Sequence, residues 1–286
     1  MAYYNARIKK DNRGKILEVL VADNQIFSDE KIKFSDLADN QNFDIDTELD
    51  IIGSSPHLVC FDALRPVAEL RSELECENMT EALFERIESN EAFMRNLKEK
   101  ICREASARRA KRKIFDYAAC NDFDYFITLT LDKKKIVRND WELIVPKLNT
   151  WLSNRVQRNG YRYIIAPEWH KNRLGMHFHG LLSGDKIGLA ETGKFDSAGH
   201  EIFNLTDWKY GFTTAIQTYG DRTNVAKYIT KYICKDSEKI GGRWYLHSNN
   251  LESPIYQYEN FEFDSLDGEN VFKVHCPSAN IRGIRY

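Results

Sequence analysis

Two strand-length blocks lie so close together that the chain between them must turn straight back. "YRYIIAPEWH" (161–170) and "GMHFHGLLSG" (175–184) are both rich in β-branched and aromatic residues, and only residues 171–174 separate them. Parallel neighbours need a crossover of a dozen or more residues, so this pair reads as an antiparallel hairpin. "DYFITLTLD" (124–132) before it and "GFTTAIQTYG" (211–220) after it read as two more strands. Between the first two strands, "NDWELIVPKLNTWLSNRVQRNG" (139–160) has helical spacing, with Gly160 as its stop. Pro146 must sit early in that helix or bend it. Residues 185–210 read as a loop. The order β-α-β-β-loop-β-α predicts an α+β fold, an antiparallel sheet with helices on one face.

The flanks are less regular. Residues 1 to about 60 read as short strands and acidic loops, with "KILEVLVA" the clearest strand. Residues 66–119 read as mainly helical and end in the basic run "RRAKRK" (108–113). The tail holds strand-like pieces, "RWYLH" and "VFKVHC". The net charge of -2 conceals an asymmetry. Residues 1–100 carry 21 acidic and 13 basic side chains, against 22 and 28 in residues 101–286. The later part is therefore the part suited to phosphate. Expected divisions are an acidic accessory region at 1–104, a catalytic domain at 105–240, and C-terminal strands at 241–286. No apolar run is long enough to span a bilayer, the start lacks an apolar signal core, and the six cysteines form no CxxC pair. These features point to a cytoplasmic protein with no membrane partner.

"KYITKYICK" (227–235) repeats Tyr-Ile-x-Lys in direct succession. Positions four apart stack on one helix face, so Tyr228 and Tyr232 form one row, and Lys227, Lys231 and Lys235 the next. A solvated amphipathic helix with Ile229 and Ile233 turned inward satisfies the same spacing.

In "HFHGLL", His177 and His179 fall on one face of a strand and are placed to bind one metal ion through two imidazole nitrogens. Glu168, at the end of the preceding strand, can lie beside His177 if the hairpin forms. It would complete a site for Mg²⁺ or Mn²⁺ with positions open to phosphate oxygens. His170, in the connecting turn, reads as a surface residue.

Three stretches in order now resemble the motifs of the HUH endonuclease superfamily, in particular the initiators of rolling-circle replication in phages and plasmids. "YFITLTLD" is similar to that family's FxTLTxD motif, "HFHGLL" to its HxHxLL motif, and "VAKYITKYICK" to its nucleophile helix in the two-tyrosine form. The resemblance covers residues 105–236. It implies an RRM- or palm-like antiparallel sheet, with Glu168, His177 and His179 holding Mg²⁺ or Mn²⁺. It implies that Tyr228 and Tyr232 are nucleophiles, each followed at three residues by a lysine, Lys231 or Lys235. The activity implied is site-specific nicking and rejoining of single-stranded DNA through a 5′-phosphotyrosine. Arg108, Arg109, Lys111, Arg112, Lys113 and Lys227 are expected on DNA. The sequence has no GxxxxGK[ST], so host helicase and polymerase are the implied partners at origin DNA. Transposases, relaxases and non-catalytic DNA-binding relatives are the alternatives. The tyrosines follow the HxH stretch, which argues against relaxases, and the presence of both histidines and both tyrosines argues against a non-catalytic relative.

Overall fold

The computed structural model describes residues 3–28, 95–96, 103, 106–170, 173–230, 239, 242–268, 270–275 and 280–285. The short strands β1 (Tyr3–Tyr4) and β4 (Phe27–Ser28) pair with each other. The strands β2 (Ala6–Lys10), β3 (Ile16–Ala22), β12 (Ile255–Glu259), β13 (Phe272–His275) and β14 (Asn280–Arg285) form a sheet of order β12-β2-β3-β14-β13. The central sheet has seven strands: β5 (Tyr125–Leu131), β6 (Arg162–Trp169), β7 (Met176–Ser183), β8 (Leu189–Phe195), β9 (Glu201–Leu205), β10 (Gly211–Gln217) and β11 (Leu246–His247). Their order is β11-β6-β7-β5-β10-β9-β8, with antiparallel neighbours. The described helices are α1 (residues 106–120), α2 (Trp141–Asn159) and α3 (Arg222–Thr230), so the α+β expectation holds.

The helices do not share one face, as the sequence suggested. β7 alternates its side chains between two buried layers. Met176, Phe178 and Leu182 pack with Ile144, Leu148, Trp151 and Leu152 of α2. Leu181 packs on the opposite face, with Ile114 and Ala118 of α1 and Ala226 and Ile229 of α3. A sheet with apolar residues on both sides of its central strands must be covered on both sides. In β6, Ile164 and Ile165 point to different layers, and this shows in the sequence as an unbroken apolar run.

Local chemistry explains α2. Asp140 caps it by accepting from Leu143 N at 3.3 Å. Gly160 ends it at φ 64, and a Cβ there would stand 2.5 Å from the Asp185 carboxylate. Pro146 lies inside the helix on its exposed side, where the loss of one backbone hydrogen bond is tolerated.

The expected loop at 185–210 contains the hairpin β8-β9. Its strands are mostly polar and half-exposed, as suits a sheet edge, so they lack the apolar alternation that marks a strand. The Asp196 carboxylate closes its turn by accepting from the backbone N–H groups of Ala198 and His200, both at 2.8 Å. In the tail, "RWYLH" contributes only Leu246–His247, whereas "VFKVHC" contains β13. Of the helical expectation over 66–119, most lies outside the described residues.

The chain forms two compact units: residues 1–7, 20–109 and 258–285, and residues 8–19, 110–257 and 286. The first has a small core of Leu20, Ala22, Phe27 and Ile281. The second contains the seven-stranded sheet. In the second unit the Lys9 ammonium lies 2.8 Å from the Asp116 carboxylate, with both side chains almost fully buried. Burial pushes the Asp116 carboxyl up from the usual range, against the pull of Lys9. Removing one partner strands a buried charge. Lys9→Met is therefore expected to cost about 3–5 kcal/mol in urea unfolding, and Lys9→Met with Asp116→Leu should recover much of that loss.

Candidate functional site

The register of the central strands assembles a polar cluster on the face that carries α3. His177 stands opposite Glu168 on β6 and Thr130 on β5, and His179 stands opposite Ala166 and Thr128. Directly paired residues share a face, so Glu168, His177, His179 and Thr128 converge. Glu168 Oε2 is 3.0 Å from His177 Nε2 and 2.7 Å from His179 Nε2. The donor atoms of all three residues lie within 4.8 Å of one another, close enough to surround a single cation. Two imidazoles and one carboxylate are a donor set that suits a divalent metal and leaves coordination positions open.

Thr128 adds a further constraint: its Oγ1 is 3.1 Å from His179 Nδ1. With the Nδ1 proton directed at that hydroxyl, Nε2 offers its lone pair toward Glu168, the orientation a metal ligand needs. Burial lowers the His179 pKa to about 4, helped by neighbouring His177 and opposed by Glu168. Its imidazole is thus neutral and available as a ligand at ordinary pH. A histidine depressed from 6.5 to about 4 stabilises the fold fully above pH ~6.5, and this contribution is lost as pH falls toward 4. Metal-free protein is therefore expected to lose denaturant stability across that window, and His179→Gln should flatten the loss.

His170 is not the plain surface residue that the sequence suggested. Its ring centroid is 4.5 Å from that of His177, and its Nε2 is shielded from solvent with no hydrogen-bond partner among the described residues. Burial, then His177 and Arg138, lower its pKa.

Tyr228 reaches the same face from α3. Ala226 and Ile229 anchor that helix in the buried layer, while Tyr228 is 43% exposed. Its ring meets Phe126 edge to face, with centroids 4.9 Å apart, and Phe126 stacks on His179 at 5.9 Å. Phe126 thus links the tyrosine to the histidine pair. Lys227, beside Tyr228, is exposed. Lys231, Tyr232 and Lys235 lie outside the described residues. The basic run lies on α1: Arg109 and Lys113 are exposed, and Arg108, Lys111 and Arg112 are half-buried. Lys113 Nζ stands 4.8 Å over the Tyr117 ring. Phe126 and Thr128 were missed from sequence. Their alternation in "YFITLTLD" gives a shared face, but only the pairing register shows that the face is the one carrying His179.

Residues 124–237 match the family model for the replication-associated proteins ORF2 and gene-2 protein. The match supports a rolling-circle Rep-type protein. The matched segment contains Glu168, His177, His179 and the whole of "KYITKYICK", and it begins after the basic run of α1. No curated protein and no solved structure matches the chain. Among the described residues, no helix is long and apolar enough to cross a membrane.

Proposed function

We propose that this Rep-type protein is a metal-dependent endonuclease and strand transferase of the HUH kind, acting on single-stranded origin DNA in rolling-circle replication. The observation that carries the reading is the continuous contact from Tyr228 through Phe126 to His179, within a Glu168/His177/His179 donor cluster. Those three residues would hold Mg²⁺ or Mn²⁺. Such an ion, when bound, polarises the non-bridging phosphate oxygens and offsets charge that builds up during displacement.

Tyr228 supplies the nucleophile. Its Oη forms a bond to phosphorus as the P–O3′ bond breaks. The leaving electron pair stays on O3′, which takes up a proton, while the phenol proton is lost to solvent. The products are a 5′-phosphotyrosine and a 3′-OH suited to a host polymerase. Attack by a 3′-OH on the phosphotyrosine reverses the step without ATP. Tyr232, one helical turn along in sequence, is the second nucleophile. Lys231 and Lys235 offset negative charge on the phenolate or the phosphorus centre. Lys227 and the basic residues Arg108, Arg109, Lys111, Arg112 and Lys113 bind phosphate.

The test uses the full chain with a random-sequence pool of single-stranded DNA and Mn²⁺. A covalent protein–DNA adduct on a denaturing gel, absent in EDTA, is the expected result. Tight binding with no adduct would leave a non-catalytic DNA-binding protein.

A further inference from the structure

The metal cluster occupies only part of its sheet face, and the same row of cross-strand neighbours continues beyond it. Glu168 pairs with His177, His177 with Thr130, and Thr130 with Phe212 on β10. Phe212 therefore shares the face of the cluster, two strands from His177. At about 4.8 Å per strand that is roughly 10 Å. Its neighbours Thr213 and Ala215 turn to the opposite face and are buried, whereas Phe212 is 70% exposed. A large ring left in water beside a polar cluster contributes little to folding.

Basic charge borders the ring. β5 ends at Leu131, and the next residues turn back through Lys133, Lys134 and Lys135, all exposed. Asp132 N donates to Tyr210 O at 2.9 Å, which ties this turn to the start of β10 two residues before Phe212. The lysine turn and the ring thus adjoin at one end of the face that holds the cluster. An exposed aromatic ring next to clustered lysines is the combination by which proteins hold single-stranded nucleic acid, the base stacked on the ring and the backbone drawn by the charge.

We propose that Phe212 stacks a base of the single strand close to the phosphate held at Glu168, His177 and His179, and that Lys133, Lys134 and Lys135 bind the adjoining backbone. The assignment rests on the nuclease reading and adds the path of the strand: across β5 and β10, away from α3. It gives the turn after β5 a DNA-binding role that the basic run of α1 was expected to fill alone.

The test measures binding of a fluorescein-labelled oligothymidine to the full chain in EDTA, where no cleavage interferes. Phe212→Ala should weaken binding roughly 5- to 150-fold, the range for losing one base–aromatic stack. Phe212→Trp should restore it, and Phe212→Leu should not, because leucine is apolar but has no π-face. Changing the three lysines to glutamine should make the log–log salt dependence shallower by about two. Because Phe212 is exposed, thermal melts of the variants should match the parent. Unchanged affinity of Phe212→Ala, or full retention in Phe212→Leu, would overturn the stacking assignment. Loss of self-association with unchanged DNA affinity would also overturn it, by assigning the ring to a protein contact. The covalent-adduct assay is separate: a parent chain that binds through Phe212 but forms no adduct would sink the nuclease reading alone.

Discussion

Replacing His177 and His179 together with alanine is expected to abolish strand cleavage while leaving DNA affinity within a few-fold of the parent. The two imidazoles supply both nitrogen donors of the cluster, and Glu168 alone is an ordinary half-exposed carboxylate. Losing the electrophilic stabilisation of a phosphoryl centre should slow the chemical step by about 10²–10³-fold or more. Binding is spared because the phosphate contacts assigned to the lysine turn and the basic helix lie elsewhere. Manganese binding, followed by the electron paramagnetic resonance of the free ion, should fall in parallel with cleavage. The fold should survive, since both side chains sit at the edge of the buried layer and Leu181 and Phe178 hold β7 in place. Full nicking by the double variant in excess EDTA would remove the metal from the mechanism.

Much of this site could be read from the sequence because β-structure has a short period. An HxH pair in a strand shares a face whatever the rest of the chain does, and the short 171–174 connection leaves little freedom in the partner of β7. Glu168 followed from the same hairpin. Phe126, Thr128 and Phe212 could not be placed in this way. Each depends on β5 and β10 joining β7 in a particular register, and those pairings span about 50 to 80 residues of chain. The polar hairpin β8-β9 was hidden because edge strands need not bury a side chain. Helices on both faces were hidden for a related reason. An apolar run such as Tyr163–Ala166 is compatible with one covered face or two, and only the packing of Ile164 and Ile165 into different layers decides. The strand in "KILEVLVA" was legible, but its pairing with residues near the C-terminus was not, because no local signal reports a partner more than 250 residues away.

Tyr228→Phe should reduce formation of the first covalent adduct by about 10²-fold or more, because the substitution removes the nucleophilic oxygen and little else. The ring keeps its edge-to-face contact with Phe126, and Ala226 and Ile229 still anchor α3, so metal binding and melting temperature should not move. Tyr228 is favoured for the first cut because its ring is already linked through Phe126 to His179. Tyr232 follows at helical spacing, so residual activity in Tyr228→Phe is expected to come from it and to vanish in the double variant. Tyr232→Phe should form the first adduct normally and fail at the second cleavage of a substrate carrying two origins. Mass spectrometry of the trapped peptide assigns the nucleotide to one tyrosine or the other. An adduct confined to Tyr232, with Tyr228→Phe fully active, would reverse the order of the two residues. Adducts on neither would reduce the repeated Tyr-Ile-x-Lys to an amphipathic helix whose tyrosines only cover the sheet.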